Sequence, residues 1–337
     1  MRAWSRADIN QFNKKGLRIP CPYCGSHGSD FVHRWVIDHP DHLGLFDRDA
    51  KRLRIIYGSD LKRVLPKRAC AEYTERALNS LRGVSHVDYW RCPSCDLVFQ
   101  NFPHDTGSKE FYYREIYRIR HNQKDQKLGV YLYGRDDERW VYQQELIGRY
   151  FLEATRLKRP AQILDVGCGE GLVVKYLESK GIDAFGLEPS EPMANYAKYR
   201  LRLRNIVCGP YASDVYPENF FEGIVTHHVV EHVVDIKGFF SALARHLKQF
   251  GYLLLQTPCM DNLKSKEDRA KILSGGHLYV YSEKFLKDAL AAFNFEILEC
   301  RKTPCDFSKL EPSYQDLWDT STWGDDPCGI SILGRKR

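Results

Sequence analysis

The sequence predicts an α/β fold, in which a doubly wound, mostly parallel sheet of seven strands follows a small cysteine-rich domain. Two observations support this prediction. From residue 161 onward, short apolar segments with strand character alternate with helical segments, an order typical of a parallel sheet covered by helices on both faces. Ahead of this region, two Cys-x-x-Cys pairs lie far apart in the chain. With 337 residues, the chain is long enough for two domains.

The first predicted element is a zinc-ribbon domain over residues 1–106. Cys21 and Cys24 form one Cys-x-x-Cys pair, and Cys92 and Cys95 form the second. Zinc takes four soft ligands in a tetrahedron, and each tight turn supplies two thiolates. We therefore predict one structural zinc. The chain has eleven cysteines, but their placement favours a reduced compartment over a disulfide framework.

A basic insertion separates the two cysteine pairs, at residues 36–88. Its segment 48–82 holds ten Lys or Arg residues against four acidic ones, an excess of six that equals the net charge of the whole chain. Such a run is typical of a solvated helical face. It also fits a surface that binds the phosphates of a nucleic acid or of a nucleotide-bearing substrate.

An aromatic-rich segment follows at residues 107–156, and we interpret it as a helical lid or linker. Asp136 is expected to cap a helix that ends before Pro160. Apolar residues such as Ile147 and Phe151 fall on one face of this helix. Most of the aromatic side chains are expected to pack in the core, and a minority to line a substrate pocket.

Residues 157–337 form the predicted α/β domain. The predicted strands are QILDVG, AFGLE, NIVCG, GIVTHH, GYLLLQTP, FEILEC and GISILGRK, and the helices between them are LVVKYLESKG, EPMANYAKYRLR, IKGFFSALARHLKQ and SEKFLKDALAAF. No apolar run reaches the ~18 residues of a membrane-spanning helix. The first sixteen residues lack the apolar stretch of a signal peptide. We expect a soluble, cytoplasmic protein without a membrane partner.

The turn after the first strand of this domain predicts the cofactor. Asp165 ends the strand, and Gly167, Gly169 and Gly171 let the backbone pass close to a ligand. Glu188 ends the second strand, where a carboxylate can bind two ribose hydroxyls. The spacing differs from the Gly-x-Gly-x-x-Gly that places a pyrophosphate on a helix. It suits a ligand with a ribose and a charged amino-acid tail, which is S-adenosylmethionine (SAM).

Several motifs together resemble the class I SAM-dependent methyltransferases, in the group around the ubiquinone-pathway enzymes. In order, they are ILDVGCGEG, GLEPS, FFEGIVTHHVVEHV, GYLLLQTP and HLYVYSEKFLKDALAAFNF. The resemblance covers residues 140–337 and implies a Rossmann-like methyltransferase sheet. An N-terminal zinc ribbon ahead of such a domain is similar to the deoxysugar methyltransferases.

The resemblance implies roles for individual residues. Asp165, Gly167 and Gly169 are expected to contact the methionine end of SAM, and Glu188 its ribose. Gly209 and Tyr211, after the third strand, are expected near the adenine. The predicted cofactor-binding set is completed by Cys168, Gly171, Pro189 and His227.

A cluster of histidines and a glutamate follows the fourth strand and is the candidate for chemistry. His228, Glu231 and His232 are spaced i, i+3, i+4, and His277 comes from another loop at the same sheet edge. Three interpretations stay open. His232 or His228 is a general base oriented by Glu231, since a histidine pKa lies near neutrality. Alternatively, the four side chains bind a divalent metal such as Mg²⁺, although His228 stands where a similar Glu-x-x-Glu-His pattern of related O-methyltransferases has glutamate. In the third interpretation, Glu231 and His232 only brace the loop.

Three functions are consistent with these features. The leading hypothesis is a methyltransferase that acts on a small molecule such as a sugar, a nucleotide-sugar or a secondary metabolite, at oxygen or carbon. The first alternative is an RNA methyltransferase that binds RNA through the zinc ribbon and the basic insertion. The insertion has only two aromatic residues, Tyr57 and Tyr73, between Arg48 and Arg82, which disfavours RNA stacking. The second alternative is an inactive SAM-binding scaffold. The oligomeric state does not follow from the sequence.

Overall fold

The structure is a computed structural model. It describes residues 20–36, 86–100, 123–124, 131–132, 138–263, 269, 272–273, 277–303 and 328–337. Residues 37–85 of the predicted basic insertion, Asp136 and most of the aromatic segment therefore lie outside the described residues.

The described strands form one large sheet, one small sheet and a short hairpin. In chain order they are β1 (Asp30–Val36), β2 (His86–Arg91), β3 (Val98–Gln100), β4 (Gln123–Lys124), β5 (Tyr131–Leu132), β6 (Gln162–Val166), β7 (Asp183–Glu188), β8 (Ile206–Cys208), β9 (Phe221–His227), β10 (Leu247–Pro258), β11 (Tyr279–Val280), β12 (Phe295–Thr303) and β13 (Gly329–Lys336). The large sheet has the order β12-β13-β10-β9-β6-β7-β8. Its seven strands are the seven that the sequence predicts. β4 pairs only with β5.

The large sheet is parallel from β8 to β10, whereas β13 runs antiparallel to both of its neighbours. The chain moves from β6 outward to β7 and β8, and then returns to place β9 on the other side of β6. Strand order therefore reverses between β6 and β9. In an open α/β sheet, a ligand binds at the carboxyl ends of the strands at such a reversal.

Helices cover both faces of this sheet, as predicted. They are α1 (Glu138–Thr155), α2 (Leu172–Ser179), α3 (Glu191–Asn195), α4 (Ile236–His246) and α5 (Glu283–Ala292). Along the strands, alternate side chains enter opposite cores. Ile163 and Val225 pack in one cluster with residues of α1 and α2. Leu164 and Ile224 pack in the other cluster with residues of α4 and α5.

One helix ends before Pro160 as expected, whereas a second helix differs from the sequence expectation. α1 ends at Thr155, before Pro160, because Arg156 adopts a left-handed conformation with φ 49° and its N–H bonds to the carbonyl of Leu152 at 3.0 Å. The helix expected over 191–202 is α for only five residues and continues as a π-helical turn over Tyr196–Arg200.

A four-stranded sheet joins the cysteine region to the α/β domain. Its order is β1-β2-β3-β11, and β11 belongs to the second half of the chain. Tyr279 and Val280 pair with Phe99 and Val98 in antiparallel register. Phe99 is fully buried in the same cluster as α4 and α5. The described part of the N-terminal region therefore packs against the α/β domain through a shared core.

Most of the described cysteines are free thiols. Eight are free, whereas Cys328, directly before β13, is part of a disulfide. The sequence did not predict this disulfide, because spacing along the chain does not report which single cysteines meet in space.

Candidate active site

The glycine turn lies at the carboxyl end of β6 and touches the segment that follows β9. Gly167 has φ 75°, a conformation that L side chains rarely adopt. A Cβ at this position would lie 2.3 Å from Cγ2 of Val229. Glycine is therefore required both by the backbone conformation and by the close approach of the two loops. This contact places the glycine turn beside the predicted catalytic segment.

Glu188 is held in place at the carboxyl end of β7. Its Oε2 accepts a hydrogen bond from the N–H of Gly169 at 2.9 Å, and its Oε1 accepts one from the N–H of Ser190 at 2.8 Å. The side chain is 6% exposed. The glycine turn and Glu188 are thus parts of one hydrogen-bonded unit, at the edge of the sheet where the sequence predicts the ribose.

Asp165 is buried at the end of β6 near Glu188. Burial, and then the negative charge of Glu188, raise the pKa of the Asp165 carboxyl from 3.8 to about 8. A cation placed between the two acids would lower that pKa by opposing both effects. SAM carries an ammonium group and a sulfonium, so the charge of this pocket fits the ligand that the sequence predicts.

The other predicted cofactor residues differ in how they face the site. The Cys168 side chain packs in the core beneath the turn, so its backbone is the part exposed to a ligand. Pro189 is half-buried beside Glu188. The N–H of Gly209 bonds to the carbonyl of Glu188 at 3.1 Å, and the space at its missing Cβ is open. Gly171 has φ 80° and caps α2.

Tyr211 and His227 are both affected by burial, and the hydroxyl of Tyr211 already has a hydrogen-bond partner. The hydroxyl of Tyr211 hydrogen-bonds to Nδ1 of His246 at 2.8 Å, and burial raises the pKa of Tyr211 well above its usual value. A contact between Tyr211 and adenine would therefore be made by the aromatic ring and not by the hydroxyl. Burial, and then the charge of His228, lower the pKa of His227 well below 6.5, so its imidazole is neutral.

Glu231 is the centre of the cluster that the sequence predicts to be catalytic. β9 ends at His227, His228 is left-handed with φ 53°, and a 3₁₀ turn spans Val230–His232. Oε1 of Glu231 lies 3.0 Å from Nδ1 of His228. Its Oε2 accepts a hydrogen bond from the hydroxyl of Thr257 at 2.9 Å. Thr257, near the end of β10, was missed by the sequence analysis, although a polar residue at a strand end is a usable signal.

The histidines keep Glu231 ionised in a buried position. Its side chain is fully buried, and burial alone would raise the pKa of the carboxyl. The hydrogen bond from His228, and the charges of His228, His232 and His277, outweigh burial and lower the pKa to about 2. The cluster is therefore a carboxylate surrounded by imidazoles.

His232 and His277 face each other beside Glu231. Their ring centroids are 5.0 Å apart. One ligand atom from each of Glu231, His232 and His277 lies within 4.8 Å of the others. Nδ1 of His277 lies 2.8 Å from the carbonyl of Ile272. Since a carbonyl only accepts, Nδ1 carries the proton, and Nε2 is the basic nitrogen of neutral His277. The structure thus brings all four predicted catalytic residues together.

The four predicted zinc ligands also converge. Sγ of Cys21 lies 3.6 Å from Sγ of Cys95, and Sγ of Cys24 lies 3.5 Å from that of Cys92. All four sulfurs lie within 4.8 Å of one another. Tetrahedral Zn–S bonds of about 2.3 Å imply sulfurs roughly 3.8 Å apart, so the donor set fits zinc. The hydrogen bond from Cys95 lowers the pKa of the Cys21 thiol to about 5, which favours a thiolate.

Residues 139–300 match a protein-family model described as a methyltransferase domain. This is a class I SAM-dependent methyltransferase domain. The family resemblance and the Rossmann-like sheet predicted from the sequence are confirmed. In the described residues of this chain, no helix combines the length and apolarity needed to cross a membrane.

Curated relatives of this chain include ubiquinone biosynthesis O-methyltransferases. That of Bradyrhizobium diazoefficiens is 29% identical over 99 residues, which are 28% of this chain and 39% of the relative. The human mitochondrial protein is 30% identical over 104 residues, which are 28% of each chain. That of Rickettsia typhi is 24% identical over 149 residues, 43% of this chain and 58% of the relative. The chain thus spans less than two thirds of the length of each.

Solved structures align with this chain at low similarity. A SAM-dependent methyltransferase from Archaeoglobus fulgidus has a TM-score of 0.44 and 17% identity, covering 59% of this chain and all of that one. The [4+2]-cyclase SpnF has a TM-score of 0.45 and 19% identity, covering 57% of this chain and 80% of that one.

Proposed function

We propose that this protein transfers the methyl group of SAM to a hydroxyl group of a small molecule. The observation that carries the proposal is the hydrogen-bonded pair of His228 and Glu231, which follows β9 beside the glycine turn. A positioned base accelerates the reaction of a hydroxyl near neutral pH by about 10²–10⁴-fold. The relatives named as ubiquinone biosynthesis O-methyltransferases support a hydroxyl acceptor.

His228 is the proposed base. With Nδ1 directed at Glu231, its Nε2 is the nitrogen that takes the proton of the hydroxyl. The buried carboxylate then stabilises the imidazolium that forms, and it fixes the ring orientation. Thr257 holds the other oxygen of Glu231. His232 and His277 line the same side of the carboxylate and orient the acceptor.

SAM supplies the electrophilic methyl group. Methyl transfer is an in-line displacement, so alignment of the two reactants is the main requirement. The acceptor oxygen forms the bond to the methyl carbon, the proton of the hydroxyl goes to His228, and the sulfur keeps the electron pair of the broken bond. Glu188 would hold the ribose, and the glycine turn with Asp165 would hold the methionine part. These assignments are supported by the shared hydrogen bonds of Glu188 and Gly169.

The zinc site is proposed as structural. Cys21 and Cys92 are buried at 1% and 0% exposure, in the same cluster as α4 and α5. A site with four protein ligands keeps no open position for a substrate, which is typical of structural zinc.

The experiment is a labelling screen with tritiated-methyl SAM. The acceptors are catechols, sugars, nucleotide-sugars and total RNA. We expect label in a hydroxylated small molecule and a rate about 10²-fold lower for His228→Asn and Glu231→Gln. SAM affinity by calorimetry should stay unchanged in both variants. His27→Asn is the matched control, because His27 is an exposed histidine.

Other outcomes would contradict the proposal. Label in RNA alone would favour the RNA alternative, and full activity of both variants would support a bracing role for the cluster. If a chelator that leaves the cysteine-bound zinc in place abolished turnover, Glu231, His232 and His277 would be metal ligands instead. SAM binding without transfer to any acceptor would favour the scaffold.

A further inference from the structure

The cysteine region reaches the catalytic cluster through one backbone carbonyl. The hydroxyl of Tyr89, on β2, donates to the carbonyl of His277 at 2.9 Å. Nε2 of Gln100, at the end of β3, donates to the same carbonyl at 2.6 Å and to the hydroxyl of Tyr89 at 2.7 Å. Tyr89 is fully buried and Gln100 is 8% exposed. Two buried side chains from the N-terminal sheet thus hold the backbone of His277.

Leu278, the residue after His277, forms backbone hydrogen bonds to two other segments. The N–H of Gln100 donates to the carbonyl of Leu278 at 3.1 Å, and the N–H of Leu278 donates to the carbonyl of Glu231 at 2.9 Å. A continuous chain of hydrogen bonds therefore runs from β3, through 277–278, to the turn that carries Glu231. Further along, the hydroxyl of Tyr281 donates to the carbonyl of Val230 at 2.8 Å.

The second cysteine pair sets the register of the two strands that supply these donors. β2 ends at Arg91, directly before Cys92, and β3 begins at Val98, three residues after Cys95. The N–H of Cys92 bonds to the carbonyl of Leu97 at 2.9 Å. A metal on the four sulfurs would hold this turn closed, and with it the spacing of Tyr89 and Gln100.

We propose that Tyr89 and Gln100 are positioning residues that couple the cysteine site to the acceptor side of the active site by fixing His277. The inference rests on the proposed function only for its kinetic consequence. SAM binding does not depend on this connection, because Glu188 and the glycine turn belong to β6 and β7 at another part of the edge. Displacing a group by about 1 Å can lower a rate by about 10²-fold.

The test removes the donors with little change in shape, by Tyr89→Phe and Gln100→Leu, singly and together. Trp90→Phe is the matched control, since Trp90 lies on the same strand and its side chain points to the opposite face. We expect the double variant to bind S-adenosylhomocysteine within about twofold of wild type. Its kcat on an acceptor found in the labelling screen should fall by about 10–100-fold. The single variant Gln100→Glu also lacks the donor Nε2, so its kcat should be lower than that of wild type.

Imidazole resonances of ¹⁵N-histidine-labelled protein give a readout independent of turnover. The signals of His277, assigned with a His277→Asn sample, should shift in both single variants and not in Trp90→Phe. They should also shift when Cys24→Ser disrupts the cysteine site, and this second shift should be smaller in the double variant background. Unchanged His277 signals in the folded double variant would overturn the inference. If these signals shift while wild type transfers methyl to no acceptor, the coupling stands and the proposed function fails.

Discussion

Replacing Glu188 gives the sharpest test of the cofactor site, because it needs no knowledge of the acceptor. The sequence predicts that this carboxylate accepts hydrogen bonds from two ribose hydroxyls, and a hydrogen bond to a charged group contributes about 1.5–3 kcal/mol. Losing both in Glu188→Ala amounts to about 3–6 kcal/mol. At 1.4 kcal/mol for each factor of ten, SAM should bind about 10²–10⁴-fold more weakly.

The same substitution should also lower stability, which has to be measured separately. In the free protein, the carboxylate accepts from the N–H groups of Gly169 and Ser190. A buried donor left without an acceptor costs about 1–3 kcal/mol. Glu188→Gln keeps the size and one oxygen acceptor, but its amide N–H₂ faces a backbone donor, so its affinity should fall between those of wild type and Glu188→Ala.

The assay is titration calorimetry with SAM and with S-adenosylhomocysteine, at a temperature where circular dichroism shows each variant folded. Asp183→Ala is the control, because it removes the same charge from the exposed beginning of β7. A folded Glu188→Ala protein that binds SAM with wild-type affinity would refute the assignment of the ribose site.

Three further predictions concern the turn, the buried acid and the metal. Gly167→Ala should lower the free energy of unfolding, measured in urea, by about 2–5 kcal/mol, because of the left-handed backbone and the overlap with Val229. Adding Val229→Ala should recover only the part of this loss that is due to the overlap. Full recovery would argue against backbone strain. The folded protein retains the proton of Asp165 up to about pH 8, whereas the unfolded chain releases it near 3.8, so the free energy of unfolding should contain a contribution that declines as pH rises through that window. Asp165→Asn should remove this decline, and equal pH profiles for the two proteins would contradict the raised pKa. Elemental analysis should find about one zinc per chain, and its removal by a strong chelator should lower the melting temperature; a metal-free preparation with the same melting temperature would exclude a structural role.

The sequence determined the sheet and the glycine turn by itself, because both depend on local rules. Strand and helix periodicity is a property of neighbouring residues, so all seven strands of the large sheet were predictable. The glycine spacing and Glu188 predict a nucleoside ligand, because such a ligand requires a close approach of the backbone. The four cysteines were predictable for a similar reason, since their chemistry demands that two distant pairs meet.

Only the tertiary structure decided which hydrogen bonds the side chains of the histidine cluster form. The spacing of His228, Glu231 and His232 left open which histidine the acid orients, and the left-handed backbone of His228 turns its Nδ1 toward Glu231. Tyr211 was predicted near the adenine, but the sequence did not show that its hydroxyl bonds to His246, a partner 35 residues away. Hydrogen bonds between distant segments depend on packing, and packing leaves no periodic signal in the chain.

The connection of Tyr89 and Gln100 to His277 has the same origin. These residues are separated from His277 by 188 and 177 positions, and nothing in the sequence around either one marks it as functional. They meet because β11 adds to the sheet that carries the cysteines, and that pairing is set by the burial of Phe99 against α4 and α5 rather than by any local preference. Local sequence rules thus determine the elements and the ligand types, whereas long-range burial determines which side chains share a site.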